Sequence, residues 1–300
     1  MSYLEYFGLE LEPFSNAPDA RFYFDSDQHS QALLRLMYAV NSDKGLAVLV
    51  GGVGNGKTTL ARRMLDTLDE EKYESSMLVM VHSGIDPEWI LTRIAMQLGI
   101  KEPAADRLTV LKQLYERLIE IDNQGRKAVI LIDEAQMLQS RELMEEFRGL
   151  LNLEIPGKKL INIVFFGLTE IEDCLKLDEP LAQRVAVKYH LNSFNVDITK
   201  SYINHRLTVA GAKQAIFDPQ AIQAIHNYSG GVPRLINTIC DNCLFETHIQ
   251  KGPIVMPKIV ESVAGDLGLL QQPGSGFAET GYQEDDLGEI EDMLDRLELK

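Results

Sequence analysis

The stretch LAVLVGGVGNGKTTLARRML, residues 46–65, decides the fold, because it joins a short apolar run to an amphipathic one through a glycine-rich loop. Residues 46–50 are all apolar and stop on Gly51 and Gly52, as a buried strand does. From Lys57 onward, Leu60, Met64, Leu65 and Leu68 fall on one face of a helix. Between them GGVGNGKT, residues 51–58, fits the pattern G-x-x-x-x-G-K-[ST] in full. In that setting the glycines let backbone N–H groups converge on a phosphate, and the helix N-terminus adds its positive end. The candidate nucleotide-binding residues are therefore Gly51, Gly52, Val53, Gly54, Asn55, Gly56, Lys57, Thr58 and Thr59. Lys57 would reach the β- and γ-phosphates of ATP, and the Thr58 hydroxyl would ligate Mg²⁺. A chance glycine-rich loop is the plain alternative, and the strand–loop–helix context argues against it.

Working outward, AVILIDE (128–134) is a second apolar run, and it ends in two carboxylates. Asp133 would hold Mg²⁺, and Glu134 would polarise the attacking water as general base. Alone, such a pair could equally cap the next helix in solvent. Its position downstream of the phosphate-binding loop is what favours the chemical reading.

Further strand-like runs are MLVMV (77–81), INIVFF (161–166) and, more weakly, VKYHL (187–191). Helical patterns separate them around residues 31–40, 87–98, 108–122 and 141–151. Apolar strands alternating with helices predict an α/β fold, a P-loop core whose parallel sheet is flanked by helices. After Asn192 only helical patterns follow, at 196–209, 219–228, 232–250 and 257–264, which predicts a small all-helical lid. The expected organisation is an N-terminal segment of the core on the adenine side (1–44), a nucleotide-binding domain (45–192), the lid (193–269), and a flexible linker with an acidic amphipathic tail (270–300). In that tail QQPGSG (271–276) reads as the linker. Ile290, Met293, Leu294 and Leu297 could form a docking stripe, for which a frayed, solvated tail is an equal account.

Two arginines stand out. Arg184, in LAQRV (181–185), precedes the last strand and could enter a neighbouring subunit's site as an arginine finger; a surface pair with Asp178 or Glu179 would also suit it. Arg234, in GGVPRLIN (230–237), follows a glycine break and Pro233 at the first turn of a lid helix, where it could swing toward the γ-phosphate. Cys240 and Cys243 are spaced C-x-x-C, but they lie inside a helical pattern with no second Cys/His pair, so they read as buried packing residues.

Composition narrows the function classes. The 300 residues carry a net charge of −16, which argues against a general binder of nucleic-acid backbone; Arg62, Arg63 and Lys72 form the one modest basic cluster. Three cysteines are too few for a disulfide framework, and the start MSYLEYFGLELEPF lacks the basic and apolar regions of a secretion signal. No apolar run reaches the roughly 18–20 residues of a membrane span. A cytoplasmic location is expected, with any attachment to the inner membrane peripheral and through a partner.

With these motifs in place, the chain resembles the ExeA-type AAA+ ATPases over residues 3–269. YFGLELEPFSNAPDARFYFDSDQHSQALLRLMYAV (6–40) is similar to that family's N-terminal signature, and IDEAQML (132–138) to its Walker-B segment. LLNLEIPGKKLINIVFFG (150–167) resembles the approach to sensor 1, while LAQRV and GGVPRLIN resemble its arginine-finger and sensor-2 regions. The resemblance implies ATP and Mg²⁺ as cofactors, the finger and sensor roles for Arg184 and Arg234, and adenine contacts from Pro13 and Phe14. Where the family usually has Gly-Gln-Pro-Glu, this chain has Gly167-Leu168-Thr169-Glu170, which leaves Thr169 as the sensor-1 candidate. The membrane span and periplasmic peptidoglycan-binding domain of longer family members are missing from the sequence. The function implied is an ATP-hydrolysing motor or switch that forms a homo-oligomeric ring, with a hexamer as one option, and serves a secretion, type IV pilus or polysaccharide-export machine. The alternatives are a DNA-associated regulator of the transposition-target-selection or replication-initiator kind, and a nucleotide-gated scaffold.

Overall fold

The computed structural model describes residues 2–270 of the chain. A short helix α1 (Tyr3–Phe7) is closed by a Ser2–Glu5 capping box, and α2 (Asp27–Asn41) follows. Next come β1 (Leu46–Gly51), α3 (Lys57–Thr67), β2 (Tyr73–Val79), α4 (Pro87–Gln97), α5 (Arg107–Asn123) and β3 (Lys127–Asp133). Then α6 (Arg141–Leu150), β4 (Glu154–Ile155), β5 (Lys158–Lys159), β6 (Ile161–Gly167), α7 (Ile171–Lys176), α8 (Glu179–Ala182) and β7 (Val185–Leu191) complete the α/β part. Four helices follow: α9 (Val196–Val209), α10 (Pro219–Ser229), α11 (Pro233–Ile249) and α12 (Pro257–Asp266).

The five long strands form one parallel sheet in the order β2-β3-β6-β1-β7. β1, β3 and β6 lie inside it and are apolar on both faces, since helices cover both sides. Leu46, Val48 and Val50 face one layer with α4–α6; Ala47 and Leu49 face the other with α2 and α3. β1 and β3 are separated only by β6, so their C-terminal ends lie roughly 10 Å apart. That topology brings the loop after β1 and the carboxylates ending β3 to one edge, where parallel sheets place their ligands.

The edge strand β2 departs from expectation, beginning at Tyr73 rather than near residue 77. Its first residues, Tyr-Glu-Ser-Ser, are polar, which an edge tolerates: Glu74 pairs with Arg117 at 3.2 Å and with Arg126 at 2.8 Å. The small β4–β5 hairpin, turning on Pro156 and Gly157, had no periodic signal.

The N-terminal stretch 1–44, expected to belong to the α/β core, divides in two. Helix α2 packs there through Ala32, Leu36, Ala39 and Val40. Leu9, Phe14 and Phe22 instead share a core with Ile203, Ile236 and Cys240 of the helical part. The chain start thus wraps the lid before it reaches the sheet. At the junction Phe194 N–H donates to the Gly231 carbonyl at 2.8 Å. A Cβ on Gly231 (φ 74°) would lie 1.9 Å from the Phe194 carbonyl oxygen, so only glycine allows that crossing. The tail stripe and the QQPGSG linker lie outside the described residues.

Candidate functional site

A cavity of about 470 Å³ opens at the C-terminal edge of the sheet, between the loop after β1, helix α3, residues 15–24 and the lid. Its size is that of a site for a nucleotide-sized ligand. Val53, Gly54, Gly56, Lys57, Thr58 and Thr59 line it, together with Glu134 and Arg234.

The other loop residues build the frame. Gly51 ends β1 so close to β7 that a Cβ would lie 2.9 Å from the Leu191 carbonyl oxygen. Asn55 is buried; its amide donates to the Leu191 carbonyl at 3.1 Å and accepts from the Ser193 hydroxyl at 3.4 Å. A Cβ on Gly52 would touch that amide at 3.2 Å. Gly54 meets the lid directly, since its carbonyl accepts from Arg234 N–H at 3.3 Å and a Cβ there would lie 2.8 Å from the Arg234 Cβ. The first turn of α11 therefore rests on the loop, which fixes Arg234 over the phosphate end.

At the end of β3, the Thr58 hydroxyl donates to Asp133 Oδ2 at 2.6 Å, while the buried Oδ1 has no partner among the described residues. A buried, unpaired carboxylate oxygen is costly unless a cation or proton faces it. Burial pushes the Asp133 carboxyl above its ordinary range, against the pull of the Thr58 hydroxyl. Lys57 is buried with its ammonium on the Gly52 carbonyl at 3.1 Å; burial lowers its pKa, and Glu134 and Asp133 oppose that shift. This donor set fits a hard divalent cation. Among the described residues no three His, Cys, Asp or Glu side chains converge as a metal site, so Thr58 and Asp133 would hold Mg²⁺ together with phosphate oxygens and waters.

Glu134 sits at φ 52° and ψ 36°, a left-handed conformation sparsely occupied by residues with a side chain. Such strain is retained where surrounding contacts over-determine it. Gln136 supplies those contacts: its amide Nε2 donates to Glu134 Oε2 at 2.6 Å, and its Oε1 accepts from Leu168 N–H at 3.0 Å. Gln136 belongs to none of the patterns that mark the site in the sequence; its one local signal is a polar residue between Ala135 and Met137, just after the two carboxylates.

The lid end is lined by residues from distant parts of the chain. Arg206 of α9 is buried and has no carboxylate partner among the described residues. It donates to the carbonyls of Pro13 and Ser15 and to the Tyr202 hydroxyl, and it lies over the Phe22 ring at 4.9 Å. Tyr202 in turn donates to Asn237 at 2.9 Å, and Asn237 to Asn16 at 3.1 Å. Buried His29, at the start of α2, is braced by the Ser26 hydroxyl at 2.6 Å and abuts Gly56 of the loop. A cation on the apolar face of α9 was the available clue to Arg206; nothing in the sequence singled out Asn237.

Three positions expected at this cavity lie elsewhere, and Arg184, expected at a neighbour's site, is remote from it. Phe14 is buried in the lid core with its ring edge-on to Phe217, and Pro13 gives only its carbonyl to Arg206, so neither lines the cavity. The wall expected from them is made by residues 15–20 and 22–24. Thr169 is exposed with its hydroxyl on Glu170 at 3.1 Å; Leu168, the residue before it, reaches the cavity instead. Arg184 lies just before Val185, which pairs with Leu46 at the start of β1. It is therefore a strand length, roughly 16 Å, from its own phosphate-binding loop. Its guanidinium donates to the Arg148 carbonyl at 3.1 Å and to Asn152 at 2.7 Å, while Asp178 pairs with Arg148 rather than with it. The basic cluster also disperses, because Arg62 and Arg63 line the cavity and Lys72 pairs with Asp69 at 3.2 Å.

Comparison with known proteins agrees with this geometry. Residues 40–175 match the family described as AAA domain. The chain is 34% identical over 282 residues to General secretion pathway protein A of Aeromonas hydrophila, an alignment that takes in 93% of this chain and 50% of that protein. This chain thus spans half the length of that relative. Among solved structures, Cdc6p of Pyrobaculum aerophilum matches with a TM-score of 0.67 at 19% identity, over 92% of this chain and 73% of that one. The ORC2 protein of Aeropyrum pernix, in its ADPNP–ADP complexes, matches with a TM-score of 0.64 at 14% identity, over 85% of this chain and 71% of that one. These two likenesses show a shared fold. The chain belongs to the AAA+ family of P-loop proteins, in the ExeA-type group that includes General secretion pathway protein A.

Proposed function

We propose that this chain binds ATP with Mg²⁺ and hydrolyses it, working as a ring-forming motor or switch. The observation that carries the reading is the Thr58–Asp133 contact beside Lys57, with the unpartnered Asp133 Oδ1 buried at the same edge. Bound Mg²⁺ would neutralise charge on the β- and γ-phosphates. Lys57 leaves the Gly52 carbonyl to bind those phosphates, and the loop N–H groups orient them. Glu134 takes a proton from the water that attacks the γ-phosphate in line. Arg234, anchored to Gly54 through its backbone, couples the phosphate end to the lid.

Arg184 lies a strand length from its own loop, so any catalytic role it has is as a finger in a neighbour's cavity. It would have to exchange the acceptors Arg148 and Asn152 for a phosphate there. The likeness to General secretion pathway protein A supports service to a secretion, pilus or export machine. No helix among the described residues is long and apolar enough to cross a membrane. We place the chain on the cytoplasmic side, where any attachment to the inner membrane would be peripheral and through a partner.

The test is the ATPase rate per subunit against protein concentration, for wild type and Arg184→Ala, with and without duplex DNA. A rate that climbs with concentration and is lost in the variant supports a shared-site ring. A flat rate unaffected by the variant removes the finger, and stimulation by DNA would replace the secretion role with a DNA-associated one.

A further inference from the structure

Glu134 lies on a strained turn directly after β3, and its carboxylate would not hold one direction by itself. Gln136 is its partner, two residues on, and is 5% exposed. The chemistry of that side chain fixes its orientation. Leu168 N–H can only donate, so the amide oxygen must face it and the amide nitrogen must face Glu134. The backbone around Gln136 is pinned as well. The Cys174 thiol donates to the Gln136 carbonyl at 3.5 Å, and Met137 N–H donates to the Glu134 carbonyl at 2.9 Å. At Gly167, where β6 ends, a Cβ would lie 3.3 Å from Gln136 Oε1, so the absence of a side chain there makes room for the amide.

We propose that Gln136 is a positioning residue for hydrolysis: its amide ties one oxygen of Glu134 to the end of β6 and so directs the other toward the attacking water. The polar contact at the end of β6 that the sequence located in Thr169 is thus made by Gln136 through the Leu168 peptide. The amide takes no proton and touches no phosphate; it acts through Glu134. The inference rests on the hydrolytic reading of Glu134 given above.

Two substitutions separate this role from a general packing role. Gln136→Glu keeps the size of the side chain and an acceptor for Leu168 N–H, but replaces the donor to Glu134 with a repelling oxygen. Gln136→Met keeps the volume and removes both bonds. In the full chain, both should lower kcat for ATP about 100-fold, as losing an aligned group does, with KM and the affinity for a fluorescent ATP analogue held within about twofold. In a double-mutant cycle with Glu134→Gln, Gln136→Glu should add almost nothing to the loss, because both changes act on one group.

If both variants bind and turn over ATP like wild type while Glu134→Gln is inactive, the inference fails and the hydrolytic reading stands. Full additivity in the cycle, or equal losses of binding and turnover, would also overturn it, since Gln136 would then be acting on the fold. If wild type and Glu134→Gln are alike, the hydrolytic reading itself fails, and the inference falls with it.

Discussion

At its phosphate end the cavity is made by one local segment, Val53–Thr59, together with Glu134 just after β3; at its lid end it is assembled from residues as distant in sequence as Asn16 and Asn237, 221 positions apart. The first end is largely backbone geometry, with glycines held to φ 76° and 92° at Gly54 and Gly56. The second is side-chain chemistry, an Arg206–Tyr202–Asn237–Asn16 chain that also closes the lid core. The contrast teaches that phosphate binding is separable from lid stability, whereas recognition of the rest of the nucleotide is not. A substitution at the phosphate end should change chemistry and leave folding alone; one at the lid end should do both.

The largest effect expected on that comparison is on stability at the lid end. Arg206→Met removes a buried cation without stranding a carboxylate, but it leaves the carbonyls of Pro13 and Ser15 and the Tyr202 hydroxyl short of a donor. Each such loss costs about 1–3 kcal/mol, so with three of them the variant should lose about 3–9 kcal/mol in chemical denaturation and bind nucleotide more weakly as well. Unchanged stability would break the claim that the lid end carries the fold.

Lys57→Ala tests the other end. It should weaken ATP about 100-fold, equal to about 2.7 kcal/mol, in a titration with a fluorescent analogue. Its thermal midpoint without nucleotide should stay at the wild-type value or rise, because burial disfavours the Lys57 charge. A fall in stability to match the loss of affinity would mean that the two ends are not separable.

The smallest expected effect lies between the two ends, at His29, which touches the loop from α2. Burial lowers its pKa below the ordinary value, so the unfolded chain takes up the proton first as pH falls. Stability should therefore be unaffected by this group above about pH 6.5, the free imidazole value, and decline from there toward the lowered folded value. His29→Gln should flatten that part of the stability–pH curve. An unaltered slope would show that His29 is not held neutral against the loop.

How far the sequence could be read follows the same division. The loop, the β3 carboxylates and the helices α9–α12 were legible because each is set by spacing within one segment. Even there, Pro233 at the first turn of α11 and Gly230 at the end of α10 gave the boundaries. Strand β2 was misplaced because an edge strand does not need an apolar start, and its polar residues are satisfied by Arg117 and Arg126 across the sheet edge. The family resemblance implies Phe14 at the adenine, whereas its ring is held by Phe217, a contact between residues about two hundred positions apart that no local pattern encodes. Gln136 was visible but mute, since its function depends on the Leu168 peptide, which only the parallel pairing of β3 with β6 brings within reach.

The measurement that tests the central claim most directly is single-turnover hydrolysis of ATP with Mg²⁺ by wild type and Glu134→Gln, at protein concentrations above the affinity of both. The account predicts that both proteins hold ATP with similar affinity and that the variant cleaves it about 100-fold to 10,000-fold more slowly. Equal cleavage rates would contradict it, and would leave the Thr58–Asp133 edge as a nucleotide seat without a hydrolytic base.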